Sequence, residues 1–273
     1  MDKYKNNLHT HTVFCHGSNT PEELVLKAIE LGFDTIGFSG HSYTGLDINW
    51  HMSQENTKMY KQQIEALKKR YSDKIDILCG LEFDIFSDCD VSGYDYLIGS
   101  SHFIKVGNEY FGVDDDADTV RNVINDYFEG DGMKYAKAYY ENIAQLYKYG
   151  NFDIVGHFDL VAKYCETNNF FDVDSKEYKN AALNALYELA NKIKVFEVNT
   201  GAVARGYRTT PYPAPFILEN MSKIGCTVVL TSDCHDKNFL DYYYKEAIEY
   251  IKSCGFESVG IMKDGAIREI KIR

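Results

Sequence analysis

At 273 residues, with 45% hydrophobic and 26% charged residues, the chain has an ordinary globular composition and enough length for a full core. Its formal charge of −12 excludes a general affinity for nucleic acid and leaves any anionic substrate dependent on a local positive field. The N-terminal MDKYKNNLHTHT has neither the apolar core nor the cleavage site of a signal peptide, and no run approaches the ~20 apolar residues of a membrane span; a cytoplasmic protein with no membrane partner is expected.

Seven cysteines, scattered without CxxC spacing, fit a reducing compartment and argue against a disulfide framework. In chain order, Thr20-Pro21-Glu22-Glu23 reads as an N-cap, a first-turn proline and a capping-box glutamate, opening a helix that ends near Gly32. DTIGFS (34–39) predicts a strand, a polar amphipathic helix runs from about Ser53 to Tyr71, and KIDILCGLEFD supplies another strand. DYLIGSSHF (95–103) is strand-like; a loop with Asp114, Asp115, Asp116 and Asp118 follows, then helical sequence to about Tyr149. FDIVGHFD, KVFEVNT and TVVLTSD continue the strands near 152, 194 and 227, separated by helical stretches near 175–192 and 213–224. A last helix near 241–253 precedes SVGIM and a KDG turn. The 22 tyrosines show no stacking motif and are expected to pack amphipathic faces.

The polar residues at the strand ends are more informative than any one element. His9 and His11, His41, Glu82, His102, His157, Asn199, and Asp233 with His235 lie at or just past the ends of seven predicted strands. In a parallel barrel those ends open on one face, where active sites are built. A single barrel over residues 1–273 with about seven strands therefore explains their convergence, although periodicity alone also allows an open doubly wound sheet. HxH and DxH place two side chains on the same side of an extended segment. With His16, the set comprises seven histidines and two carboxylates, more than one catalytic zinc needs. It points to a multinuclear metal site of the kind that hydrolyses phosphate esters. Cys15 and Cys234 are adjacent to His16 and His235, and on an extended segment they point the other way, as buried neighbours. His51 fits no strand end.

HTHTVFCHG, SGHS, GLEFD, GSSHF, GHFDLV and SDCH, in this order, resemble the successive motifs of the polymerase and histidinol phosphatase (PHP) family, most closely its histidinol-phosphatase branch. The resemblance covers nearly the whole chain, and it implies an α/β fold, a distorted (βα)7 TIM-like barrel with three divalent ions at the C-terminal face of its strands. By motif, it implies that His9, His11, Glu82 and Asp233 bind the first ion, Glu82, His102 and His157 the second, and His16, His41 and His235 the third. The imidazole-rich set suits zinc, or iron or manganese, better than magnesium. A hydroxide shared by two ions can attack phosphorus in line, and Asp233 or a metal-bound water is the candidate acid for the leaving group.

The substrate-reading groups are expected on loops. Arg205, in NTGAVARGYRTTPYP (199–213), matches the branch's phosphate-binding arginine, and a guanidinium fork suits a phosphate. Arg208 is a second candidate in the same loop, and Ser101 matches a small polar position of the branch. GHFDLVAKYC places Ala162 and then Lys163 where related sequences carry a basic residue, so Lys163 is the candidate second cation. The implied substrate is a small phosphorylated metabolite, L-histidinol phosphate, whose ammonium and imidazole call for an acidic or aromatic pocket; the DDDAD run at 114–118 is one source. The competing readings are a PHP phosphatase for another small ester or for phosphotyrosine, and a non-catalytic metal-stabilised binding module.

Overall fold

A computed structural model describes residues 5–46 and 49–272; the first four residues of the N-terminal stretch read above lie outside them. The capping box at Thr20 forms: the Thr20 hydroxyl accepts from Glu23 N and the Glu23 carboxylate from Thr20 N, starting α1 (Pro21–Glu30). Leu24, Val25 and Ala28 then face the core. The long polar helix forms as α2 (Gln54–Arg70), capped by Ser53.

The strands β1 (Asn6–Asn7), β2 (Thr35–Phe38), β3 (Asp76–Asp84) and β4 (Tyr96–Ser100) pair in sequence and in parallel. The short β7 (Ile154–Val155), β8 (Val195–Asn199), β9 (Thr227–Thr231) and β10 (Ser258–Lys263) extend the parallel sheet, and β11 (Ala266–Lys271) closes its edge in antiparallel fashion. Beyond β1 and β9 the sheet curls on itself: Thr10 bridges Cys234, with His11 N donating to Cys234 O at 2.8 Å and Cys234 N to His9 O at 3.1 Å. The result is an α/β fold with a curled parallel sheet.

Three local features differ from the sequence expectation, and a fourth, the connection from β3 to β4, was left open by it. DYLIGSSHF is interrupted after Ser100, and Phe103 instead starts β5 (Phe103–Val106), which forms a hairpin with β6 (Glu109–Gly112). The helical region to Tyr149 is two helices, α3 (Ala117–Tyr127) and α4 (Gly132–Ala144), because Gly130 takes a φ of 74° and Asp131 caps a new helix. Among the described residues no helix joins β3 to β4. The KDG turn is followed by a strand, β11, that the polar sequence AIREIK did not reveal. The remaining helices α5 (Lys176–Ala190), a short α6 (Gly201–Ala204), α7 (Pro215–Lys223) and α8 (Tyr244–Ser253) alternate with β7 to β10.

Inside the curl, beneath the strand ends, Leu8, Tyr96, Ile98, Ile154, Val229 and Met262 form one apolar plug. Tyr96 crosses it, donating to Leu8 O at 2.5 Å. Gly80 makes room for that ring, since a Cβ there would lie 2.3 Å from Tyr96 Cζ. Seven tyrosines, Tyr60, Tyr96, Tyr135, Tyr139, Tyr140, Tyr178 and Tyr212, are fully buried, in keeping with a packing role. No helix among the described residues is long and apolar enough to cross a membrane.

Candidate metal centre

The nine nominated ligands converge at the end of the sheet where the plug stops. Glu82, the residue before Phe83 near the end of β3, is their hub. Its Oε2 lies 3.1 Å from His9 Nε2, 3.5 Å from His11 Nε2 and 2.9 Å from His41 Nδ1, and its Oε1 lies 3.2 Å from His102 Nε2 and 2.9 Å from His157 Nε2. Asp233 Oδ1 lies 3.0 Å from His11 Nε2 and 3.6 Å from His9 Nε2. Asp233 adopts φ 47°, a left-handed conformation that aspartate tolerates, as the chain leaves β9. His16 sits 4.9 Å from the His41 ring and 4.3 Å from the His235 ring, while His11 and His235 stack at 4.2 Å.

Four sets of candidate donor atoms each fit within 4.8 Å: His11, His16, His41 and His235; His9, Glu82 and His157; His9, His11 and Asp233; His41, Glu82 and His102. They contain the same nine residues as the three implied sites but divide them differently: His9 groups with Glu82 and His157 as well as with His11 and Asp233, His102 groups with His41 and Glu82 and not with His157, and His11 joins His16, His41 and His235. The donor chemistry fits cations. His9 Nε2, His11 Nε2, Glu82 Oε2 and His157 Nδ1 are buried without a hydrogen-bond partner, and polar atoms are rarely left so unless something binds them.

Two groups that the sequence analysis did not single out fix the imidazoles. Glu197 Oε1 lies 2.6 Å from His9 Nδ1, and Asp84 Oδ2 lies 3.2 Å from His102 Nδ1, so both histidines present Nε2 to the centre. Glu197 also accepts from His157 N, Asn199 Nδ2 and Thr231 Oγ1. The signal was present: Glu197 is an acid inside the apolar run KVFEV, and Glu82 and Asp84 share one strand face by the same alternation that made HxH informative.

The charges on the floor depend on one another. Burial works against ionisation of Glu82, but His9, His41 and His102 beside it hold its carboxyl well below the usual range. Asp233 is likewise held low, against burial, by Arg205 and His9, and a carboxyl so firmly ionised suits a ligand better than a proton donor. Against the same burial, Glu197 and Glu82 push His9 well up, and Glu82 and Asp84 do so for His102. Buried carboxylates here demand positive charge, which the raised pKa values of the His9 and His102 imidazoles favour and which bound cations would supply equally.

Above the floor opens a cavity of about 330 Å³. Its rim carries Trp50, Asp114, Asp115, Lys163, Arg205 and Tyr207. Arg205 Nη2 donates to Asp233 Oδ2 and Nη1 to Asp233 O, both at 3.0 Å, so its guanidinium sits at the edge of the cluster. Lys163 Nζ donates to Asp114 O at 2.7 Å. The acidic run is not simply solvated: Asp114 and Asp115 face the cavity, while Asp116 caps α3.

Two nominated substrate residues lie elsewhere. Arg208 pairs with Asp159 at 3.2 Å and lines a separate cavity of about 230 Å³. Ser101 is buried, its hydroxyl 3.4 Å from Phe103 O. The thiol of Cys234 turns to Asp236 O and that of Cys15 to Thr12 O and His11 Nδ1. His51 contacts Met52 O, outside the cluster.

Residues 7–201 match the PHP domain family, and the chain belongs to that family. Within it, the chain is 26% identical to the histidinol-phosphatase of Lactococcus lactis over 268 residues, covering 92% of this chain and 91% of that protein. A probable histidinol-phosphatase of Deinococcus radiodurans is also 26% identical, over 92% of this chain and 94% of its own length. The fold of this chain is similar to that of the histidinol phosphate phosphatase of Lactococcus lactis solved with zinc, L-histidinol and phosphate, with a TM-score of 0.74 at 23% identity, covering 97% of this chain and 98% of that one.

Proposed function

We propose that this chain is a metal-dependent phosphomonoesterase that hydrolyses L-histidinol phosphate to L-histidinol and phosphate. The observation that carries the reading is the set of nine ligand-type side chains centred on Glu82, in which the buried His9 Nε2, His11 Nε2 and Glu82 Oε2 lack hydrogen-bond partners. The substrate comes from the curated relatives named histidinol-phosphatase, which match across more than nine-tenths of this chain. On this reading residues 1–273 form one domain, and β1 to β4 with β7 to β9 are the seven strands of a distorted (βα)7 barrel.

In this assignment His9, His11, Glu82 and Asp233 hold one divalent ion, Glu82, His102 and His157 a second, and His16, His41 and His235 a third; zinc fits this donor set, as do iron and manganese. Bound there, such ions supply an activated water for in-line attack on phosphorus and Lewis acidity for the oxygens around it. Glu197 and Asp84 keep Nε2 of His9 and His102 turned inward. Arg205 offers its fork to the phosphate oxygens, and Lys163 adds a second positive charge in an otherwise acidic chain. Asp114, Asp115, Trp50 and Tyr207 are the groups available to the ammonium and imidazole of the substrate.

Phosphate release from a panel of esters, with metal content measured on the same preparation, tests this. L-histidinol phosphate should exceed phosphotyrosine in kcat/KM by at least ~100-fold, about 2.7 kcal/mol. Equal rates on both would favour a phosphatase of another specificity, and no turnover by fully metallated protein would favour a binding module.

A further inference from the structure

Arg208 was a candidate phosphate ligand, yet its guanidinium turns away from the cavity. Nη1 donates to Asp159 Oδ2 at 3.2 Å, with the side chains 6% and 0% exposed. Asp159 lies two residues beyond His157, and its Oδ2 also accepts from Ala214 N at 3.0 Å. The loop that bears Arg205 turns tightly at Gly206, φ 74°, and Tyr207 N and Arg208 N both donate to Ala202 O. One arginine of this turn therefore reaches Asp233 and the other reaches Asp159. The far end of the loop is held as well: Tyr212 pairs with Asn199 through two backbone bonds of 2.9 and 3.0 Å, and the Arg208 guanidinium lies 4.3 Å from the Tyr212 ring.

We infer that the buried Arg208–Asp159 pair is a positioning device that locks the Arg205 loop onto the segment carrying His157. The inference rests on the phosphatase reading for the role of Arg205. A buried ion pair adds little stability over an apolar pair of the same size, and losing one partner strands the other charge. What this pair does supply is geometry. It joins the loop after β8 to the segment after β7 at a buried point three residues beyond Arg205, adding to the exposed bond from Thr209 N to Glu166 Oε2 at 2.8 Å, to the Tyr212 pairing and to the bonds Arg205 itself makes to Asp233. Asp159 Oδ1 is already buried without a hydrogen-bond partner, so the Asp159 carboxylate depends on Arg208 and Ala214 N.

The test is a double-mutant cycle read by calorimetric titration of inorganic phosphate into zinc-reconstituted protein, with zinc content measured on each variant. Arg205→Ala should weaken phosphate binding about 30-fold and Arg208→Met about tenfold, whereas adding Arg208→Met to Arg205→Ala should change it less than about twofold, because the second acts through the first. Arg208→Lys should recover only part of the loss, since it keeps the charge without the fork. If Arg208→Met does not fold, Asp159→Asn with Arg208→Met removes both charges and takes its place in the cycle. Wild-type affinity in Arg208→Met, or losses that multiply in the double variant, would overturn the inference. Turnover of L-histidinol phosphate on the same wild-type preparation judges the phosphatase reading separately: protein that binds phosphate and hydrolyses nothing overturns that reading, while the cycle still decides the coupling.

Discussion

The floor of the cavity and its rim are held by different means. Floor residues His9, His11, Glu82 and His157 are buried at strand ends, fixed by backbone pairing between strands at His9, His11 and Glu82 and by Glu197 at His9 and His157. Rim residues Arg205, Lys163 and Asp114 sit on loops and are held by a few contacts, Arg205 by the carboxylate and carbonyl of Asp233 and Lys163 by the carbonyl of Asp114. A floor built on strands tolerates little displacement, which suits ligands that must meet within a few tenths of an ångström. A rim built on loops can change its selectivity without disturbing the metal centre.

The strongest way to break this contrast is at the hub. Glu82→Gln keeps the shape and removes the charge that faces five imidazoles. It should lower kcat/KM by at least ~10³-fold, the scale of losing a central electrostatic group, and should release metal while leaving the circular dichroism of the chain intact. Retention of full metal content would show that the floor is not organised around Glu82. On the rim, Arg205→Ala should cost about 2 to 4 kcal/mol in kcat/KM and leave most of the metal bound, with Arg205→Lys restoring part. Metal loss as large as in Glu82→Gln would mean that Arg205 belongs to the floor through its bonds to Asp233.

The floor should also respond to pH. Burial, with neighbouring imidazoles, holds His11 well below its ordinary 6.5. Burial likewise lowers His41, and it takes His235 to about 4, helped by Arg205 and His41. A group with a depressed folded pKa contributes stability that is complete above its unfolded value and is lost as pH falls through the folded one. His9 and His102, held high, behave oppositely: their contribution is complete below 6.5 and fades as pH rises through their folded values. Between pH 6.5 and 4 His9 and His102 therefore do not offset these losses, and the Tm of metal-stripped protein should drop by on the order of 5–10 °C. A flat Tm across that window in thermal melts would remove the floor's titration from the picture.

The same division explains what could be read in the sequence. Ligands on strands obey the two-residue alternation, so HTH and SDCH named their partners before any fold was known, and strand ends named the face. Asp84 and Glu197 followed the same rule and could have been found with it. Trp50 and Tyr207 could not, because a loop has no period and nothing in NWHMSQ or RGYRTT marks which side chain turns inward. Arg205 and Arg208 stand three residues apart in one loop, and only the turn at Gly206 sends one to Asp233 and the other to Asp159. The hairpin β5–β6 was hidden for a related reason: Ser101 and His102 continue the strand pattern of β4 although the chain leaves the sheet after Ser100.

The smallest expected effect concerns selectivity at the rim. Asp114 faces the cavity with its side chain 30% exposed, and its carboxylate stands 3.6 Å from Lys163 Nζ. Burial would raise its pKa, but Lys163 and His102 hold it below the ordinary value, so it is anionic at neutral pH and available to an ammonium. Because water reaches it, the interaction should be modest, about 1 kcal/mol. Asp114→Asn should therefore raise KM for L-histidinol phosphate about fivefold while leaving kinetics on p-nitrophenyl phosphate, which has no amine, close to wild type. The split between the two substrates is the informative readout. An equal loss on both would place Asp114 with Lys163 in holding the phosphate end, and no loss on either would leave the aromatic pair Trp50 and Tyr207 as the groups that read the rest of the substrate.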